Sequence, residues 1–136
     1  MQKKETFFAS KRERRRNDNG KKKNSGIARA LTPMDVKAKI ERGKDFIWLD
    51  VRTPAEYKKE RIEDPRIKLI PLGMLRERID ELPRDKKIVT FCKFSLRGYE
   101  AQTILDGEGY KDVTFMDGGI EAWLGELTGG GGIAPK

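Results

Sequence analysis

A short apolar segment of the chain leads directly into its only cysteine. Residues 88–91, Ile-Val-Thr-Phe, follow three charged residues and have the composition of an interior strand. Cys92 comes next, and from Gly98 to about Asp106 the apolar side chains recur at helical spacing. A buried strand, a loop and a helix in this order predict an α/β fold with Cys92 at the carboxyl edge of its sheet.

The loop after Cys92 has features of an anion-binding site. Its amide N–H groups, together with the N-terminus of the following helix, can form a concavity around the sulfur. Lys93 and Arg97 add two cations, so we expect the loop to favour the thiolate over the thiol and to hold an anionic substrate. A lone cysteine at a strand end is equally typical of a small buried hydrophobic residue.

Two threonine–proline pairs predict the first turns of two more helices. In each pair the threonine, Thr32 or Thr53, can cap the helix, and the proline takes the first helical position. Between them, residues 46–51 form a strand with the apolar composition of a sheet buried on both faces. Asp50 and Arg52 lie at its carboxyl end, where open α/β sheets place their sites. An ion pair that holds the turn is the structural role we assign to them.

The remaining apolar segments complete an alternation of strands and helices. Residues 67–70 and 113–116 predict two further strands. Four apolar residues at helical spacing predict one helix that ends before Pro83: Leu72, Leu75, Ile79 and Leu82. Residues 120–127 predict a short helix with two side chains facing the core, Trp123 and Leu124. The whole pattern predicts a three-layer α/β sandwich with a mainly parallel sheet of four to five strands and helices on both faces.

The basic charge is confined to the N-terminal part of the chain. Residues 1–29 carry eleven Lys and Arg against three Asp and Glu, which equals the whole net charge of +8. We expect residues 1–30 to be a basic disordered tail or linker because they hold few apolar side chains. Nucleic-acid binding is not expected, since Phe7 and Phe8 are the only aromatic residues among these cations and no nucleic-acid-binding fold supports it. One domain then covers residues 31–127, followed by a flexible glycine-rich tail, residues 128–136.

The sequence also favours one cellular setting. No apolar run is long enough to span a membrane, and the N-terminus lacks the apolar region of a secretory signal. One cysteine cannot form an internal disulfide, which is typical of a reducing cytoplasmic location.

Three motifs occur in a recognisable order and spacing. The first is Leu49-Asp50-Val51-Arg52 with Pro54-Ala55-Glu56-Tyr57, the second is Cys92-Lys93-Phe94-Ser95-Leu96-Arg97, and the third is Asp117-Gly118-Gly119-Ile120 with Ala122-Trp123. Together they resemble the signatures of the rhodanese family, single-domain sulfurtransferases with a C-x-x-x-x-R loop. The chain is similar to rhodanese modules that also occur fused behind flavin-dependent pyridine nucleotide-disulfide oxidoreductases.

This resemblance implies a sulfurtransferase that carries sulfur as a persulfide on Cys92. A small anionic donor such as thiosulfate would supply the sulfur, and a thiol, cyanide or protein acceptor would remove it; a flavin-dependent disulfide oxidoreductase is one such partner. The resemblance assigns substrate binding and persulfide cradling to the loop residues, Lys93, Phe94, Ser95, Leu96 and Arg97. It also implies that Asp50 and Arg52 brace the rim of the site. No metal or cofactor is implied.

The chain departs from the family pattern after the first motif. Glu60-Arg61-Ile62 stands where the family usually has Gly-His-Ile, and the chain contains no histidine. One general base is therefore absent, although a preformed thiolate does not need it. The departure bears on substrate specificity more than on the sulfur step.

Other functions remain open from the sequence. Related loops hydrolyse phosphate esters, but they typically place five residues between cysteine and arginine, whereas four separate Cys92 from Arg97. A binding or regulatory module that has lost its activity is a second alternative, and the retained cysteine argues against it. A sulfur-relay domain of a larger flavoprotein is a third.

Overall fold

The computed structural model describes residues 28–129, which contain one five-stranded parallel sheet. Its strands are β1 (Ala30–Leu31), β2 (Ile47–Asp50), β3 (Ile67–Leu69), β4 (Ile88–Phe91) and β5 (Val113–Met116). They lie in the order β1-β5-β4-β2-β3, so β4 is central and pairs with β5 on one side and β2 on the other. The α/β fold class and the parallel sheet of four to five strands are confirmed.

Within residues 28–129, three α-helices alternate with the strands: α1 (Pro33–Glu41), α2 (Pro54–Lys59) and α3 (Leu96–Gly107). The first two begin at the predicted threonine–proline pairs. In each, the threonine hydroxyl accepts the N–H of an acidic residue three positions on, and that carboxylate accepts the threonine N–H. The partners are Thr32 with Asp35 and Thr53 with Glu56.

Two apolar clusters fill the two faces of the sheet, because successive side chains of a strand point to opposite sides. One cluster contains Leu49 of β2 and Leu105 of α3. The other contains Trp48 of β2, Phe91 of β4 and Val36 of α1. Helices therefore cover both faces, as predicted, and all four residues of β4 are buried.

The prediction of one helix over residues 72–82 is wrong. The segment contains two short 3-10 helices, Leu72–Met74 and Ile79–Glu81, separated by a turn. The apolar residues predicted to face the core are nevertheless buried: Leu75, Ile79 and Leu82, with Leu72 partly buried. Apolar spacing identifies the buried side, but the near-threefold period of 3-10 turns satisfies that spacing as well as an α-helix does.

The helix predicted over residues 120–127 is also wrong in its length. A 3-10 helix covers Gly119–Ala122, and Trp123 has an extended backbone. Trp123 packs edge-on against Trp48 with ring centroids 5.0 Å apart, as expected of a core-facing side chain. Leu124 is 57% exposed, because an extended residue at 123 turns the next side chain to the opposite side.

Packing extends to both ends of the described region. Ala28 is buried, and Arg29 donates hydrogen bonds to Asp106 at 2.6 Å and to the carbonyl oxygen of Val113 at 3.0 Å. At the other end, Thr128 forms an antiparallel bridge with Arg61. The rest of the two predicted tails, residues 1–27 and 130–136, lies outside the described residues. Within residues 28–129, no helix combines the length and apolar character that crossing a membrane requires.

Candidate active site

Cys92 directly follows β4 at the carboxyl edge of the sheet, as predicted. The residue is only 2% exposed and packs in the apolar cluster that contains Leu49 and Leu105. The N–H of Gly98, in the first turn of α3, donates a hydrogen bond to Cys92 Sγ at 3.3 Å. The sulfur therefore lies at the N-terminal end of a helix, where the partial positive charge favours an anion.

Gly98 allows α3 to approach β4 closely. A Cβ atom at Gly98 would lie 3.2 Å from the Cα of Phe91, tighter than ordinary van der Waals contact. The hydroxyl of Thr90, which is fully buried, donates to the carbonyl oxygen of Gly98 at 2.7 Å. α3 begins at Leu96 instead of the predicted Gly98, so this close contact falls inside the helix.

The carbonyl groups of the loop after Cys92 face the turn that follows β5. The N–H of Ile120 donates to the carbonyl oxygen of Cys92 at 2.9 Å. Gly119 has φ +58°, and a Cβ atom there would overlap the carbonyl oxygens of Cys92 and Phe94. The C=O and N–H of a trans peptide point in opposite directions, so the N–H groups after these carbonyls face away from the turn. This orientation is the one that an anion-binding concavity requires.

Ser95 links the loop to the same turn. Its hydroxyl donates to Oδ1 of Asp117 at 2.6 Å and accepts the N–H of Gly118 at 2.8 Å. Ser95 occupies the N-cap position of α3, yet its side chain makes no capping hydrogen bond. The side chain therefore fixes the loop and does not compete for the N–H groups at the start of α3.

Arg97 is bound by a carboxylate from another element. Its two terminal nitrogens donate to the two oxygens of Glu56 at 2.7 and 3.0 Å, a bidentate ion pair. The hydrogen bond from Arg97 is the main reason that the pKa of Glu56 falls from 4.5 to about 2, with burial opposing the shift. From the sequence we expect Arg97 to bind an anionic substrate; in the structure its guanidinium is paired with Glu56.

Lys93, Phe94 and Leu96 form the outer surface of the loop. Lys93 Nζ lies 3.6 Å from the carboxylate of Glu121 and 5.4 Å from the centre of the Phe94 ring. Phe94 is 59% exposed and Leu96 is 65% exposed. The loop thus presents two apolar side chains beside two cations, and each cation has a carboxylate partner.

Asp50 and Arg52 form a buried ion pair, with side chains 1% and 3% exposed. Nε and Nη2 of Arg52 donate to the Asp50 carboxylate, and Nη1 donates to the carbonyl oxygens of Glu56 and Glu60. The pair therefore joins the end of β2 to α2, the helix that carries Glu56. The structural role that the sequence suggests for these two residues stays a prediction.

Two contributors to the site were missed by the sequence reasoning. Glu56 is 41 residues from Arg97, and no local pattern signals their pairing. Gly119 belongs to a glycine pair at the end of a strand, a pattern that predicts a turn. The pattern does not indicate that this turn contacts Cys92. In the part of the chain that the structure describes, no group of three or more Cys, Asp and Glu side chains is arranged to hold a metal ion.

Comparisons with known proteins agree with this architecture. The rhodanese-like domain model matches residues 32–126. A sulfurtransferase of Allochromatium vinosum is 35% identical over 80 residues, which are 59% of this chain and 73% of that protein.

Two solved structures share the fold. Bacillus anthracis CoADR-RHD is 34% identical over 71% of this chain, with a TM-score of 0.61. The NAD-dependent persulfide reductase from A. fulgidus is 38% identical over 65% of this chain, with a TM-score of 0.54. The matched region spans only 16% and 18% of those two proteins. The rhodanese-like domain model matches well over half of the residues of this chain, and the chain therefore belongs to the rhodanese-like domain family.

Proposed function

We propose that this protein is a sulfurtransferase in which Cys92 accepts a sulfane sulfur atom and passes it on from a persulfide. The observation that carries the proposal is the place of Cys92 Sγ, buried at the carboxyl edge of the sheet and hydrogen-bonded to the N–H of Gly98. Similarity to a sulfurtransferase over 73% of that protein's length supports the same reaction class.

In the first step the Cys92 thiolate attacks the sulfane sulfur of the donor. With thiosulfate, a new S–S bond forms, the old S–S bond breaks, and sulfite leaves with the bonding electron pair. The negative charge then lies on the terminal sulfur of the Cys92 persulfide. The first turn of α3 and the outward-facing N–H groups of the loop stabilise that charge without reorganisation.

In the second step an acceptor takes the terminal sulfur. Its thiolate attacks that sulfur, and the Cys92 thiolate leaves, stabilised by the N–H of Gly98. The acceptor comes from outside these 136 residues, because Cys92 is the only cysteine among them. A flavin-dependent disulfide oxidoreductase is a partner of suitable chemistry, and similarity to the A. fulgidus NAD-dependent persulfide reductase supports a partner that handles persulfides.

The same geometry disfavours a phosphatase. Hydrolysis of a phosphate ester by a cysteine–arginine loop uses the guanidinium as a bidentate ligand for phosphate oxygens. Both terminal nitrogens of Arg97 instead hold Glu56.

The decisive experiment is intact-mass measurement of the reduced protein after thiosulfate treatment, with and without cyanide. We expect the wild type to gain the mass of one sulfur atom and to lose it to cyanide, and Cys92→Ser to gain none. Circular dichroism establishes that both proteins are folded. A folded wild type that gains no sulfur from thiosulfate or from an organic persulfide would leave the binding-module alternative in its place.

A further inference from the structure

We propose that Glu56 and Glu121 neutralise the two cations of the loop after Cys92, and thereby select a sulfur donor of low charge, an organic persulfide, over a dianion such as thiosulfate. The inference rests on the proposed function and deepens it by naming the class of donor.

The first support is the pairing of both loop cations. Arg97 binds Glu56 with two hydrogen bonds of 2.7 and 3.0 Å, and Lys93 lies 3.6 Å from Glu121. These four side chains carry no net charge together. A dianion that enters must give up hydration and meets no uncompensated cation on this loop in return.

The second support is the way in which Glu56 is held. Besides Arg97, the Glu56 carboxylate accepts the N–H of Thr53 at 2.9 Å and its hydroxyl at 3.2 Å. The side chains of Arg97 and Glu56 are 32% and 29% exposed, so the pair is partly shielded from water. A donor that recruits Arg97 has to displace a carboxylate fixed from two directions.

The third support is the apolar character of the loop surface. Phe94 and Leu96 are exposed apolar side chains on the same loop as Lys93 and Arg97. They suit the organic group R of a persulfide R–S–S–H and offer nothing to an oxyanion. In the reaction, the Cys92 thiolate attacks the terminal sulfur, the original S–S bond breaks, and the thiolate R–S⁻ leaves with the electron pair. The proton stays on the transferred sulfur or passes to water.

The test compares two donors, the persulfide of 2-mercaptoethanol and thiosulfate, by the rate at which Cys92 gains sulfur in intact-mass time courses. Glu56→Gln removes the charge but keeps an oxygen that can serve the capping box. The loading rate from thiosulfate should rise about tenfold, because one uncompensated cation then faces a dianion across a few ångströms. That rate should also fall steeply with added salt. The rate from the persulfide of 2-mercaptoethanol should change less than about twofold, since this donor has no charged group other than its ionisable S–S–H.

Glu81→Gln is the matched control. The Glu81 carboxylate is also paired, with Arg78 and Lys68, and its pKa is also lowered to about 2, first by the hydrogen bond from Arg78. Its partners lie outside the active-site loop. Neither donor should load Cys92 at an altered rate in this variant.

The proposal is wrong if Glu56→Gln leaves the ratio of the two loading rates unchanged, whether both rates stay constant or both fall. If that variant does not fold, Glu121→Gln provides the same test by releasing Lys93, with a smaller expected gain because this pair is more exposed. If the variant gains sulfur from both donors at the wild-type ratio of rates, only this inference is overturned. Failure of the wild type to load from either donor overturns the proposed function as well.

Discussion

Gly119 lies directly against the carbonyl oxygen of Cys92, so closely that no side chain fits between them. The next residue, Ile120, donates its N–H to the same oxygen at 2.9 Å. The turn after β5 thus supports the active-site loop from behind and holds its carbonyl groups on one side. Two motifs that are distant in the sequence act as one structural unit at this point.

Gly119→Ala should therefore damage both stability and sulfur loading. Alanine is strained in the left-handed conformation of this residue, and its Cβ would displace the carbonyl groups of the loop. Together these effects should lower the free energy of unfolding by at least about 2 kcal/mol. Urea denaturation measures the first effect, and intact mass after thiosulfate measures the second. In the control Gly107→Ala, the added Cβ has no atom within 4 Å, so stability should not fall. Wild-type stability and loading in Gly119→Ala would contradict this account of the turn.

Asp50→Asn should be strongly destabilising. It leaves Arg52, which is 3% exposed, without a charged partner inside the protein. Breaking a buried ion pair in this way typically costs about 3–5 kcal/mol, and chemical denaturation would show it as a lower midpoint. Arg78→Gln breaks a partly exposed pair with Glu81 and should leave the denaturation midpoint almost unchanged. Equal losses in the two variants would show that the buried pair has no special structural role.

The stability contribution of Glu56 should depend on pH in a defined direction. Its pKa in the folded protein is about 2 against an ordinary 4.5, mainly because of the hydrogen bond from Arg97. A lowered folded-state pKa gives stability that is fully present above pH 4.5 and is lost as the pH falls towards 2. The wild type should therefore be more stable than Glu56→Gln at pH 6. Denaturation series at decreasing pH should show the difference shrinking towards zero, and a constant difference would contradict the ion pair.

The features that could be predicted from the sequence are those whose partners lie close together along the chain. The threonine caps of α1 and α2 were both located correctly, because each threonine bonds to a residue only three positions away, as Thr53 does to Glu56. The strand before Cys92 was equally clear, because continuous apolar β-forming residues have few other solutions in an α/β chain. Local chemistry thus locates the starts of α1 and α2 and the buried strand before Cys92.

The features that could not be predicted depend on how distant elements meet. The same Glu56 that caps α2 also binds Arg97, and only the packing of α2 beside the loop brings them together. The two 3-10 helices between residues 72 and 82 are a second case, because their hydrogen bonding depends on the path that the chain must take across the sheet. The spacing of apolar residues predicts neither the Glu56–Arg97 pair nor the 3-10 hydrogen bonding.

Gly98→Ala should separate the support of the sulfur from the stability of the fold. Alanine favours a helix over glycine by about 1 kcal/mol, which offsets the cost of moving the backbone where the new Cβ would lie 3.2 Å from the Cα of Phe91. Stability should change little, but α3 moves away from β4 and the N–H bond to Cys92 Sγ lengthens. Alkylation of Cys92 by iodoacetamide and sulfur loading should both slow by about three- to tenfold, the equivalent of one weakened hydrogen bond.

Gly73→Ala is the control for this variant, since no atom lies within 4 Å of its added Cβ. Reactivity that falls in Gly98→Ala but not in Gly73→Ala would assign the effect to the contact between α3 and the sulfur. Unchanged alkylation in a destabilised Gly98→Ala protein would show the reverse, that the glycine serves only helix packing. The comparison therefore decides whether the N-terminus of α3 stabilises the charge on Cys92 or merely lies beside it.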